Sequence, residues 1–336
     1  MYTFIQLPTI PYDYMVQRPQ HMMKWLSLKG NMIYYIENSS KTYIIKKSEK
    51  LNVIGKNYDI KNITFNNPII LWCSSPKHVQ YIDKYPHDYI IFDAVDNDTN
   101  ELADWKPYTD SIVMKANIVF AASNFLYQKF KIMHPETHLV ENAVDYEHFS
   151  QINNMYPVDL PSYTSCRKLV GYTGAVAKWI NWELINFISK NSSYDYIFVG
   201  PCINSLSHIA HENKFRNIHF LGYKEYRKVP NYVNNFNCCL VPFRVNSMTY
   251  ASNPIKIYEY FAAGKPVVST GIEAVQAFRD ICYIADTKEE YLDCINKAVN
   301  EEDVSLIKKR IDTAKQNSWE SRVDKILNIL CTRVRV

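Results

Sequence analysis

Residues 253–270, NPIKIYEYFAAGKPVVST, set a proline, a lysine, a glutamate, a glycine and a second proline around a short helical core that runs into a β-branched strand. Proline is favoured at the first helical position, where its missing donor costs nothing, so Pro254 is read as opening a helix whose first N–H groups stay unpaired. Such an end attracts anions, because the free donors and the macrodipole both favour negative charge. Lys256 in the first turn is a poor neighbour for a positive helix end, and a bound phosphate resolves the conflict. Glu259 follows three residues later, about sixty degrees around the helix and on the same face. Its ionised carboxylate only accepts hydrogen bonds and matches the adjacent hydroxyls of a ribose. Phe261, Ala262 and Ala263 pack the helix, Gly264 ends it in the left-handed C-cap conformation, and Pro266 stops any continuation before the strand. Lys265 is read as an exposed surface lysine. The bland alternative is a surface Lys–Glu salt bridge on an ordinary helix.

Outward from this stretch, apolar segments rich in β-branched and aromatic residues alternate with amphipathic ones, the pattern of βαβ units and mainly parallel sheets. The first half predicts strands at YTFIQL, NMIYYIE, PIILWCS, DYIIFDAV, NIVFAAS and HLVEN. Helices are expected at Val16 to Leu28, near Lys77 to Lys84, near Leu102 to Lys115, and at Asn124 to Met133 behind a Ser123 cap. KLVGYTG, YDYIFVG, NIHFLGY, NCCLVPF, PVVST and ICYIA then form a second run of strands. QINNMYPVDLPSYTSCR, without periodicity, is read as the link between the runs. The expected class is α/β with two Rossmann-like domains facing across a cleft: residues 1–150, a linker over 151–167, residues 168–316, and a C-terminal helix over 317–336 that can return to the first domain. Doubly wound domains bind ligands at the carboxyl ends of their strands.

Composition excludes several other classes. A chain of 336 residues exceeds one compact domain. No apolar run approaches the roughly 20 residues needed to cross a bilayer, and the opening MYTFIQLPTIPYDY, without a basic start ahead of an apolar stretch, is expected to be a first strand running into a loop rather than a secretory signal. The first 150 residues hold 15 Lys and Arg against 16 Asp and Glu, and the remainder 23 against 18. That mild positive balance suits an anionic ligand or membrane surface but is too weak for nucleic acid. The eight cysteines show no metal-type pairing and are expected to be buried thiols in a reducing cytoplasm. His208 and His211 make the one suggestive histidine spacing, with no partners to complete a zinc site, so no metal is expected.

NPIKIYEYFAAGKPVV resembles the donor-site signature of GT-B glycosyltransferases, closest to retaining family four and its cell-surface polysaccharide transferases. Other segments resemble that family in the same order: QRPQHMMKWL, DYIIFDAVDN, NIVFAASNFLYQKF, HLVENAVDYEHF with Ala143 where glycine is usual, LVGYTGAVAKWINWELI, NIHFLGY, CCLVPFR and the terminal SWESR helix. The resemblance implies Glu259 on the ribose, and Lys256 with Ser252, Asn253 and Pro254 near the diphosphate. It implies Gly174 in a turn that lets main chain approach the phosphates, Lys178 as a further positive charge, and Tyr223 along the nucleobase. Turn geometry for Gly174 and sheet-end packing for Tyr223 are the plain alternatives. One departure is Ala251, which stands where the family usually carries an earlier glutamate on the donor sugar. Asn246, Thr249 and Asn253 are the neutral replacements within reach.

The reaction implied is transfer of a sugar from a nucleotide-diphosphate donor, UDP being the expected base carrier, to a hydroxyl of a glycan or lipid-linked acceptor. Lys256, Lys178 and the helix end would stabilise the leaving diphosphate in place of a metal or other cofactor. Retention is implied; inversion would need a base in the first domain. Asp96 and Asp98 in DAVDNDTN are the candidates for proton removal or acceptor contact, with loop solvation and helix capping as their bland reading. Arg18 either binds an anionic acceptor or pairs with a neighbouring acid. DND also resembles the acid–x–acid metal motif of GT-A transferases, but the diphosphate signature lies late, in a second domain. A cytoplasmic chain at the inner membrane face is expected. The rivals are a nucleotide-sugar epimerase, which would need acids and a histidine around the sugar, and a non-catalytic nucleotide- or glycan-binding partner of another transferase, favoured by Ala251 and Ala143.

Overall fold

The computed structural model describes residues 1–65, 68–151, 155–161, 167–203 and 217–334. His208, His211 and Cys166 lie outside them. The chain divides into two units, one of residues 1–142, 251–253 and 319–336, the other of residues 143–250 and 254–318.

The first unit is built on an eight-stranded sheet. Its strands are β1 (Thr3–Gln6), β2 (Met32–Glu37), β3 (Ile44–Ser48), β4 (Leu51–Gly55), β5 (Ile69–Cys73), β6 (Tyr89–Ala94), β7 (Ile118–Ala121) and β8 (Thr137–Leu139), in the order β3-β4-β2-β1-β5-β6-β7-β8. Every pairing is parallel except β3 with β4. That antiparallel hairpin was not among the expected strands. All five residues of β3 are exposed at the sheet edge, so IIKKS lacks the apolar alternation that marks a half-buried strand. The central strands are buried on both faces, by Ile5, Leu71, Phe92 and Val119 on one and by Phe4, Trp72, Ile91 and Phe120 on the other, as a parallel sheet flanked by helices requires.

The Arg18–Leu28 and Asn124–Lys131 helices form where expected, and the Ser123 hydroxyl accepts from the Leu126 N–H at 3.3 Å. The segment near Lys77–Lys84 is not an α-helix. It forms two 3-10 turns, Pro76–Gln80 and Ile82–Lys84, with Tyr85 extended ahead of Pro86. A residue before proline avoids the helical region, and buried His78 is drawn to the Pro8 carbonyl at 2.9 Å. Likewise Asn100–Trp105 is 3-10, and the α-helix begins only at Lys106.

The second unit carries a six-stranded, all-parallel sheet: β9 (Leu169–Thr173), β10 (Asp195–Val199), β11 (Ile218–Gly222), β12 (Cys238–Val241), β13 (Val267–Thr270) and β14 (Tyr283–Ala285), ordered β11-β10-β9-β12-β13-β14. The chain winds outward from β9 through β10 and β11, then returns to the other side of β9 with β12. The order therefore reverses between β9 and β12, where an open α/β sheet leaves a crevice outside its strand ends.

The unit boundary falls at Asn142 rather than at residue 150. Val144, Phe149 and Leu160 are buried in the core of the second unit, and Tyr232 donates to Asp159 at 2.8 Å, so Asp159 and Leu160 tie the described part of the expected linker to that unit. The Trp319–Arg333 helix belongs with the first unit and buries Trp319, Val323, Ile326 and Leu330. None of the seven described cysteines forms a disulfide. Among the described residues no helix is long and apolar enough to cross a membrane.

Candidate active site

In the second unit the crevice between β9 and β12 is framed by two segments. One is the turn after β9. The other is the loop after β12, which leads into the Ile255–Ala262 helix. Pro254 is the cap of that helix, one position earlier than the sequence implied, and no side chain among the described residues caps its first turn. Tyr260 ties the helix to the sheet: its hydroxyl accepts from the Thr173 N–H at 2.9 Å. The helix ends as expected, with Gly264 at φ +67°.

Lys256 Nζ lies 2.8 Å from Glu259 Oε2. The pair is no surface bridge, since the Glu259 side chain is 0% exposed and that of Lys256 only 24%. Glu259 Oε1 is buried without a hydrogen-bond partner among the described residues. A buried carboxylate oxygen left without a donor is costly, and a hydroxyl-bearing ligand supplies what is missing. Lys265 is not a surface lysine either. Its ammonium donates to the Asn234 carbonyl at 2.7 Å, and burial pulls its pKa down.

Gly174 follows β9 at φ +141°, a conformation that side chains rarely adopt. A Cβ there would stand 2.9 Å from the Tyr172 hydroxyl and 3.4 Å from Lys256 Cε, which places the turn against the Lys256–Glu259 pair. Gly200 and Gly222 repeat the device at the ends of β10 and β11, at φ +151° and +66°. Gly174 N–H donates to Val199 and Gly200 N–H to Gly222, lacing three strand ends together through bare backbone. Burial, with the Glu259 charge beside them, pushes the Tyr172 and Tyr226 hydroxyls up. The Tyr226 ring stacks on His148 at 4.3 Å. Neither Tyr226 nor His148 was singled out from sequence. An aromatic hydroxyl kept where Phe would pack as well, as in LVGYT and YEYF, was the available signal for Tyr172 and Tyr260.

Residues 167–301 match the family model described as "Glycosyl transferases group 1". TuaH of Bacillus subtilis (strain 168), named as a teichuronic acid biosynthesis glycosyltransferase, is 24% identical over 222 residues, 60% of this chain. That match spans 55% of TuaH, so about half the length of the curated relative is represented. Among solved structures, a trehalose-6-phosphate protein from E. coli bound with UDP-2-fluoro glucose is 10% identical at a TM-score of 0.75, covering 100% of both chains. WaaG, a glycosyltransferase involved in lipopolysaccharide biosynthesis, is 11% identical at a TM-score of 0.67, covering 98% of this chain and 99% of its own. The likeness to these solved structures shows the fold, which is of the GT-B type.

Within this fold, Lys256, Glu259 and Gly174 converge. Lys178 is exposed on the loop beyond Gly174, with no ion-pair partner among the described residues. Tyr223 is exposed just past Gly222. Asn246 and Thr249 are both engaged in a local turn. Asn246 Oδ1 accepts the Met248 and Thr249 N–H groups at 3.0 Å, and the Thr249 hydroxyl donates to the Arg244 carbonyl, so both build the turn before Ser247–Tyr250. Ala251, Ser252 and Asn253 belong to the first unit, where the Ser123 hydroxyl donates to the Ala251 carbonyl at 2.6 Å. Asn253 Oδ1 is buried and unpartnered among the described residues.

In the first unit Arg18 is buried against Asp93 at 2.7 Å, the pairing with a neighbouring acid that the sequence left open. Asp98 is likewise committed, to Lys129 at 2.5 Å. Burial works to raise its pKa, but the Lys129 and Thr109 hydrogen bonds prevail and hold it low. Asp96 is different. No hydrogen bond or ion pair engages it among the described residues, and burial pushes its carboxyl up to about 6. Among the described residues no cluster of His, Cys, Asp and Glu could hold a metal ion.

Proposed function

We propose that this chain is a glycosyltransferase that moves a sugar from a nucleoside-diphosphate donor to a hydroxyl of a glycan or lipid-linked acceptor in surface polysaccharide synthesis, with retention. The observation that carries the reading is the buried Lys256–Glu259 pair beside the Gly174 turn, with Glu259 Oε1 left as a lone acceptor. Glu259 accepts from the ribose, while Lys256 and the uncapped start of its helix receive the diphosphate. Cleavage of the anomeric bond builds negative charge on that diphosphate. A cation already fixed by a buried carboxylate stabilises it without reorganising. Lys178 adds charge, Tyr223 lies along the base, and Asn253 takes the role that Ala251 leaves vacant on the donor sugar. With retention, the leaving phosphate takes the acceptor proton on the same face. Asp96, unpaired among the described residues and with its carboxyl pushed up to about 6 by burial, contacts the acceptor hydroxyl.

The mild positive balance of residues 151–336 supports work at the cytoplasmic membrane face on a lipid-linked acceptor. The group 1 match and the TuaH likeness support the transferase class over an epimerase. Calorimetric titration with UDP, GDP, dTDP and CMP, followed by donor hydrolysis with the corresponding sugars, tests the proposal. Binding and turnover with one diphosphate series is the expected result. Binding without turnover on any donor favours the non-catalytic partner, and no binding at all removes the nucleotide site.

A further inference from the structure

Arg18 opens the helix after β1, and the residue is 2% exposed. Its Nε donates to both Asp93 oxygens at 3.0 Å and its Nη2 to one of them at 2.7 Å. Asp93 takes a further bond from the Trp72 indole at 3.3 Å. Arg18 Nη1 donates to Asn142 Oδ1 at 3.1 Å. A guanidinium has donors only, so Asn142 must turn its oxygen toward Arg18 and its amide nitrogen away. That nitrogen donates to the Asn253 carbonyl at 2.5 Å. Arg322, on the terminal helix, steadies the same backbone by donating to the Glu141 carbonyl at 3.2 Å.

A buried ion pair is often no more stabilising than apolar residues of the same volume, so stability does not account for this chain of bonds. What it adds is direction. A fixed charge pair orients one amide, and that amide orients one backbone carbonyl. The carbonyl belongs to Asn253, the residue before the cap of the Lys256–Glu259 helix. Residues 251–253 pack with the first unit although the chain on either side belongs to the second.

We propose that Asp93, Arg18 and Asn142 are positioning residues that fix Asn253, and through it the entry into the Ile255–Ala262 helix, before donor arrives. The catalytic consequence rests on the nucleotide reading above; the ordering of the segment rests on the hydrogen bonds alone. Asn142→Asp separates the two. The new carboxylate still accepts from Arg18, so the buried cation stays paired, but nothing is left to donate to the Asn253 carbonyl.

Amide hydrogen exchange on the ligand-free protein is expected to be about tenfold faster or more in peptides spanning residues 246–258 of this variant, with β6 unchanged. Donor hydrolysis should lose about tenfold or more in kcat, with KM within about threefold of the parent. A variant that served only the fold would speed exchange in β6 as well. If Asn142→Asp does not fold, Asn142→Ser asks the same question with a hydroxyl too short to span to Asn253. Unchanged exchange over 246–258 overturns the proposal. Faster exchange there, in a protein that binds none of the four nucleotides, upholds the positioning role and removes the transferase reading.

Discussion

Glu259→Gln isolates the acceptor on which the nucleotide reading depends. The glutamine oxygen can replace Oε2 beneath the Lys256 ammonium, so the 2.8 Å contact survives and no cavity opens around a fully buried side chain. The amide nitrogen then occupies the place of Oε1, and a lone acceptor becomes a donor. A ribose hydroxyl loses one hydrogen bond to a charged group, worth about 1.5–3 kcal/mol, so the dissociation constant for the nucleoside diphosphate should rise about 10- to 150-fold. At a ligand concentration a hundred times the parent constant, binding stabilises the parent by about 2.7 kcal/mol, and a thirtyfold weaker variant keeps only about 0.9 kcal/mol of that. Titration calorimetry measures the first effect and ligand-dependent thermal unfolding the second. An affinity within about twofold of the parent, in a variant whose ligand-free unfolding is unchanged, refutes the assignment of Glu259 to the ribose.

Lys256→Met leaves a buried carboxylate with neither partner. The loss is expected to be about 2–3 kcal/mol in urea unfolding, below the cost of breaking a fully buried pair because Lys256 is partly exposed. Gly174→Ala forces a Cβ to 2.9 Å from the Tyr172 hydroxyl at φ +141°. It should cost about 1–3 kcal/mol and weaken nucleotide binding, and a variant as stable as the parent counts against the strained turn. Asp96 has a folded pKa of about 6 against an ordinary 3.8, so the stability owed to its neutral form is complete below pH 4 and lost as pH rises through 6. Asp96→Asn should therefore unfold about 1–2 kcal/mol later than the parent at pH 7.5 and match it at pH 4, a gain discounted for partial exposure. Equal gains at both pH values would show that the carboxyl is not shifted.

Twelve of the fourteen strands among the described residues could be read from apolar runs because a parallel sheet buried on both faces imposes a strong, local signature. The β3–β4 hairpin escaped because its edge strand is exposed at every position, with lysines where burial would have demanded apolar residues. The Lys77–Lys84 segment has helical composition, yet Pro76, Pro86 and the distant Pro8 carbonyl decide its path. At the site, Lys256 and Glu259 were legible through their spacing on one helix. Their depth was not, because Tyr172 and Gly174 that cover them arrive from a strand more than eighty residues earlier. Arg18 and Asp93 are separated by 75 residues, and only the sheet order brings them together. The boundary at 142 turns on Phe149, whose ring is part of the second core although its sequence context reads as the tail of the first.

The composition of the first unit has a consequence for the order in which the protein is made. Its sheet is complete by Leu139, yet the unit also needs residues 251–253 and the helix from Trp319, whose apolar face fills the groove beside the Arg18–Leu28 helix. During synthesis the second unit has its whole strand set before that helix emerges. The unit begun first is thus the last to close, and expression of residues 1–142 alone leaves that apolar groove open to solvent and prone to association.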